Sequence, residues 1–149
     1  MTKLADALQG VTRLGFDTAP LIYFVERHPV YLPVVKQVFQ QVDNGRIAGF
    51  SGMISLAEVL VLPKKLNNAV LETAYRAVLF NSRNFSVLPI DAAIADRAAD
   101  LRSRYKLKLP DALQIAAAVE TKCEAFLTND IGLRSVTDLR MLVLNELEL

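Results

Sequence analysis

The amino-acid sequence predicts an α/β fold of three layers, in which a central, mainly parallel five-stranded sheet has helices on both faces. Three observations lead there. Short apolar runs alternate with segments of helical period, the segments between them carry helix-start and helix-stop residues, and one helix is apolar on nearly every side, as a helix covering a buried sheet must be. The 149 residues suit one domain spanning 1–149, long enough to bury a core without cross-links.

Residues 1–10 read as a short helix or a tail, closed by Gly10. Val11 to Phe16 is the first strand, and Asp17 follows it directly. Thr18 is the expected N-cap of a short helix, with Pro20 at an early position where its missing amide has no helical partner to lose; His28-Pro29 ends that helix. Val34, Val35, Val38, Phe39 and Val42 share one face of a second helix, which Asn44-Gly45 stops. Ile47 to Ser51 is the second strand, and Ser55-Leu56-Ala57-Glu58 opens a third helix that Pro63 terminates. Val70, Leu71, Ala74, Ala77 and Val78 stripe a helix over Asn68 to Ser82, ahead of a third strand from Phe85 to Ile90. Ile94, Ala98, Leu101 and Tyr105 stripe the next helix, while Arg97, Arg102 and Arg104 take other faces. Asp111 to Lys122 is the helix that is apolar nearly all round, and Ala125 to Thr128 and Met141 to Leu144 are the fourth and fifth strands. No repeat, low-complexity tract or linker interrupts the series.

Composition removes several function classes. Charged residues make up 22% of the chain and the net charge is +1, which excludes a globally basic nucleic-acid coat or an acidic tail. Hydrophobic residues reach 52% and the mean hydropathy is +0.28, values that fit an Ala- and Val-rich core and also leave room for an apolar partner surface. Cys123 is alone, so there is no disulfide framework and no cysteine zinc site, and a reducing cytosol is the expected compartment. No stretch approaches about 18 uninterrupted apolar residues, so a cytoplasmic protein without a membrane span is expected. His28 has no second histidine with which to hold zinc. There is no Gly-rich phosphate loop, and Asp17-Thr18-Ala19 lacks the second acid of an aspartyl phosphotransferase.

In a parallel sheet the carboxyl ends of the strands and the amino ends of the following helices share one edge, where such proteins bind ligands. Asp17 ends the first strand, Glu58 lies in the first turn after the second, Asp111 opens the apolar helix and Asp130 follows the fourth strand. Two carboxylates about 4 Å apart repel by roughly 4 kcal/mol at an effective dielectric near 20. A group of them therefore needs protons or cations, and magnesium or manganese prefers carboxylate and water oxygens. One or two such ions activate water and offset charge on a phosphodiester. Each acid also has a bland explanation. Glu58 stands three residues after Ser55, the spacing of a capping box; Asp111 suits a helix dipole; Asp130 suits a turn. Asp17, closing an apolar central strand, is the least comfortable as filler. Asp91 also follows a strand and precedes a helix, and spacing alone does not exclude it.

These residues resemble the PIN-domain family, and particularly its VapC-type ribonuclease toxins. The likeness runs through Phe16-Asp17-Thr18-Ala19-Pro20-Leu21-Ile22-Tyr23, Ser51-x-x-x-Ser55-Leu56-Ala57-Glu58, Leu109-Pro110-Asp111-Ala112-Leu113-Gln114-Ile115-Ala116-Ala117-Ala118 and Phe126-Leu127-Thr128-Asn129-Asp130. The resemblance implies strand order 3-2-1-4-5 and a magnesium- or manganese-dependent endoribonuclease. Asp17, Glu58 and Asp111 would be its metal-binding acidic triad, with Asp130 as a fourth acid. Thr18, Ser55 and Thr128 match hydroxyl positions beside that site, and the strand order sets Asp91 about two strand spacings, roughly 10 Å, from the first strand. It also implies a homodimer and a cognate antitoxin partner. Ala19-Pro20 and Leu133 depart from the family pattern, where a polar and an aromatic residue are common.

From Arg97 to Lys108 five basic residues, Arg97, Arg102, Arg104, Lys106 and Lys108, accompany one acid, Asp100. Such a run is either the solvated face of a helix or a strip for an RNA backbone; Lys64, Lys65 and Arg134 are weaker candidates. Two other functions compete with a toxin nuclease: a PIN-like module that binds RNA or protein without turnover, and a PIN nuclease of RNA processing or acting on DNA.

Overall fold

Leu14, Phe16, Ala125 and Leu127 belong to one hydrophobic core and Phe126 to another, because successive side chains of a strand point to opposite faces of its sheet. The computed structural model describes residues 1–149. A two-residue strand β1 (Thr2–Lys3) is followed by β2 (Arg13–Phe16), β3 (Ala48–Gly52), β4 (Phe85–Leu88), β5 (Ala125–Thr128), β6 (Arg140–Val143) and β7 (Leu147–Glu148). The central sheet has the order β4-β3-β2-β5-β6, and every pairing in it is parallel. This is the expected order of the five longer strands. Outside it, β1 pairs with β7, a contact between the chain ends that no local pattern announces.

The helices are α1 (Leu4–Ala7), α2 (Thr18–Val25), α3 (Leu32–Asp43), α4 (Ile54–Val59), α5 (Val61–Lys65), α6 (Ala69–Asn81), α7 (Ala92–Arg104) and α8 (Leu109–Glu120). None is long and apolar enough to cross a membrane. One face of the sheet shares a core of 22 buried residues with α2, α3 and α6, and the other shares 13 with α7 and α8. The alanines of α8 let it lie very close to β2. A Cβ built on Gly15 would stand 2.6 Å from the Ala118 Cβ, so any larger residue at 15 would push the helix off the sheet. Because β2 is the middle strand, the residue that follows it emerges at the centre of the carboxyl edge.

Four local expectations are corrected. Asp17, not Thr18, is the N-cap of α2: its backbone is extended and its carboxylate accepts the Thr18 N–H. Ser55 and Glu58 form no capping box, since α4 starts after Met53 with no side-chain cap and Ser55 is fully buried. The third helix breaks at Leu60 into α4 and α5, and Pro63 sits inside α5, at a first-turn position where a missing amide costs no helical bond. On α6 the buried seam runs through Tyr75 and Leu79, while Val70 is 82% exposed and Ala77 is exposed too. So many apolar residues surround that helix that period alone does not select the seam.

Candidate active site

Asp17 is held from two sides. Its Oδ1 accepts the Thr18 N–H at 2.9 Å and its Oδ2 accepts the Thr128 hydroxyl at 2.7 Å. The Thr128 hydroxyl oxygen in turn accepts the Asp130 N–H at 3.0 Å, so one side chain at the end of β5 positions two of the acids. Asp130 then caps the following 3-10 turn through the Gly132 N–H at 2.9 Å. Adjacent strand ends make this possible, because Phe16 and Leu127 are paired in the sheet and the Asp17 N–H donates to the Leu127 carbonyl.

Glu58 reaches the same edge from α4. Its Oε1 accepts the Thr18 hydroxyl at 2.8 Å. Thr18 belongs to a closed polar hub with Ser51, Ser55 and Gln114. These four and Thr128 are the only buried polar side chains of the molecule, and none has an unpaired polar atom. Burying so many polar groups in one place is costly unless every one is hydrogen-bonded, and here they stand directly behind the acids.

Asp111 lies in the first turn of α8. Burial pushes its carboxyl above the ordinary value, Asp17 and Asp130 push it further, and Lys108 opposes them. Burial is also the main cause raising Asp17; the Thr128 and Thr18 hydrogen bonds act against it, while Glu58 and Asp130 add to it. The structure thus brings Asp17, Glu58, Asp111 and Asp130 within electrostatic reach of one another through Asp17. It does not bring Asp91 there: that side chain caps α7 by accepting the Ile94 N–H at 2.9 Å.

The donor set is entirely carboxylate oxygen, which suits a hard divalent cation and not zinc or copper. Burial and the neighbouring acids together raise the Asp17 and Asp111 carboxyls, with Lys108 the one cation that opposes the shift at Asp111. No three of the side chains converge into a ready-made ligand cage. The acids line none of the four surface grooves. The largest, about 460 Å³, involves Phe24, Lys36, Phe39 and Arg83 and lies where α3 and α6 end, at the amino edge of the sheet. Charge, not concavity, locates this site.

The basic strip divides. Arg97 is paired with Glu120 at 2.8 Å, and Arg104 with Asp138 at 2.8 Å and Asp100 at 2.9 Å. Arg102 donates to the Leu107 carbonyl. Lys106 and Lys108 are exposed, and Lys108 is the one that faces Asp111. Lys64 and Arg134 are in ion pairs with Glu72 and Glu146.

Ser51 and Gln114 received no role from the sequence. A signal for Gln114 existed: it is the one polar residue between Ala112 and Val119, and it stands three residues after Asp111, on the same helical face. His28, the lone histidine, accepts the Val30 and Tyr31 N–H groups in a turn.

The family model of the PIN domain matches residues 16–139. Among solved structures, a toxin–antitoxin complex from Klebsiella pneumoniae contains a chain 27% identical, with TM-score 0.68, covering 89% of this chain and 98% of that one. VapBC2 from Rickettsia felis, bound to a DNA fragment from its promoter, is 16% identical with TM-score 0.71, over 89% and 98% of the two chains. Mycobacterium tuberculosis VapC20, described as a Sarcin-Ricin loop cleaving toxin, is 14% identical with TM-score 0.62, over 77% and 87%. No curated protein sequence matches this chain.

Proposed function

Because this chain belongs to the PIN-domain family, we propose that it is a magnesium- or manganese-dependent endoribonuclease, the toxin of a toxin–antitoxin pair, with residues 1–149 folded as one unit. The observation that carries this reading is the position of Asp17. It is the central carboxylate of the edge, fixed through both oxygens, with its charge opposed by Glu58 and Asp130. Asp17, Glu58, Asp111 and Asp130 would hold the cation, and Thr18, Ser55 and Thr128 would orient them. A cation bound there supplies the charge that activates water and stabilises a phosphodiester under in-line attack. The protein's own part is to hold the carboxylates in place and to leave an open edge along which a strand can lie. Lys106 and Lys108 are the basic residues best placed to meet the RNA backbone, since Arg97 and Arg104 are engaged with carboxylates.

The toxin assignment draws on the 27% identity to a chain of the Klebsiella pneumoniae toxin–antitoxin complex. Exposed apolar side chains on α5, just after it and at the start of α6, Val61, Leu62, Leu66 and Val70, support a protein partner, either the antitoxin or a second copy in a homodimer. Purified protein is expected to cleave single-stranded RNA with manganese or magnesium and to stop with EDTA. Asp17→Asn and Asp111→Asn should each abolish cleavage. Full metal-dependent cleavage by both variants would overturn the mechanism, and RNA binding without cleavage in either metal would favour a binding module.

A further inference from the structure

Gln114 is 2% exposed and is the one α8 side chain hydrogen-bonded to β3, α2 and α4 alike. Its Oε1 accepts the Gly52 N–H at 2.9 Å. A backbone amide can only donate, so the side-chain amide has one permitted orientation, and both of its N–H protons point the other way. They go to Thr18 Oγ1 at 3.1 Å and to Ser55 Oγ. Each hydroxyl then has a single proton left to give. Ser55 gives its proton to Ser51 at 2.8 Å, and Ser51 gives its own to the Phe16 carbonyl at 3.1 Å. Thr18 gives its proton to Glu58 Oε1 at 2.8 Å.

Thr18 has a rival acceptor, because Ser55 Oγ is 3.3 Å away. The Gln114 proton takes one of the two Ser55 lone pairs and the Ser55 proton goes to Ser51, so Ser55 does not donate back to Thr18. The anionic Glu58 oxygen, at 2.8 Å against 3.3 Å, is the stronger acceptor for the Thr18 proton. We propose that Gln114 is a positioning residue for the metal site: by fixing the direction of the hydroxyl chain, it commits the Thr18 proton to Glu58 and so holds that exposed carboxylate toward Asp17. This deepens the nuclease reading and rests on it for the identity of the site.

The test is manganese binding, read by electron paramagnetic resonance, for the wild type, Gln114→Met, Thr18→Val and the double variant. Gln114→Met preserves side-chain volume and removes both donors. Its manganese affinity is expected to fall about tenfold, the lower end of the range for groups that orient metal ligands. The double variant should match Thr18→Val within about twofold, since Gln114 acts through Thr18; a packing role would instead multiply the two losses. Wild-type affinity in a folded Gln114→Met, or multiplied losses in the double variant, would overturn the proposal. A second measurement needs neither metal nor variant: in the metal-free wild type, nuclear Overhauser contacts from the Gln114 amide protons should run to the Thr18 and Ser55 side chains. Contacts to the Gly52 N–H in their place would show the amide reversed and end the idea. If the wild type bound no manganese, the nuclease reading would fail, and this second measurement would still decide the orientation of Gln114.

Discussion

The two ends of the central sheet are built from different materials. At the amino edge, where α3 and α6 end, Phe24, Phe39, Lys36 and Arg83 border the molecule's largest groove, about 460 Å³, and its one close charge contact is Arg83 with Asp43 at 3.4 Å. At the carboxyl edge the acids line no groove, yet they gather there with every buried polar side chain packed behind them. Hollow space alone marks neither binding nor chemistry. A polymer with a charged backbone needs an open edge with fixed charge, and a deep pocket would exclude it.

The contrast can be broken or sharpened by substitution. The largest effect is expected at Asp17: Asp17→Asn keeps an oxygen for the Thr18 N–H but loses the ionised ligand. RNA cleavage should drop by more than about a hundredfold, beyond what loss of an orienting group costs, with the circular-dichroism spectrum unchanged. Thr128→Val removes the hydroxyl that serves both Asp17 and Asp130. It should lower cleavage about 10- to 100-fold and cost about 1–3 kcal/mol of stability in denaturant unfolding, since a buried bond is lost.

A smaller effect concerns pH. Asp17 and Asp111 have folded values above the ordinary 3.8, so the folded metal-free protein holds protons that the unfolded chain releases. Their contribution to stability is complete below about 3.8 and is lost as pH rises through the raised folded values. Tm of the metal-free protein should therefore carry a falling component above that point, and Asp17→Asn should remove part of it. At neutral pH manganese at a hundred times its Kd should restore about 2.7 kcal/mol, or several degrees of Tm; no gain in the wild type would contradict a cation site. The smallest effect belongs to the other edge. Lys36→Ala should change stability by less than about 0.5 kcal/mol and leave cleavage as it was, and a large loss of cleavage there would end the distinction between the two edges.

Much of the carboxyl edge was legible in the sequence because strand ends and helix starts are local events. Asp17 after an apolar run and Asp111 beside Pro110 announce their positions within a few residues, and a parallel sheet carries such positions to one edge. Local rules were poorer at choosing among roles. Ser55 and Glu58 have capping-box spacing but face a tertiary hub, and Thr18 is a good cap residue displaced by the aspartate before it. Asp91, which matched Asp17 in pattern, is an ordinary cap. The buried face of α6 was unreadable for a different reason: with apolar residues nearly all round, only the surface it packs against selects Tyr75 and Leu79. The five basic residues of the strip were likewise alike in sequence until Glu120 and Asp138, from distant parts of the chain, claimed Arg97 and Arg104.

By itself the sequence determined the alternation of strands and helices, the all-round apolar α8 and the four acids at its junctions, because period, capping and turn chemistry act over a few residues. Only the tertiary structure decided that Gln114 meets Thr18, Ser55 and Gly52, that Thr128 joins Asp17 to Asp130, and that the chain ends pair as β1 and β7. The contacts within the site join residues up to 111 positions apart. A hydrogen bond depends on direction and on a few tenths of an ångström, and neither is set until the sheet and α8 have packed.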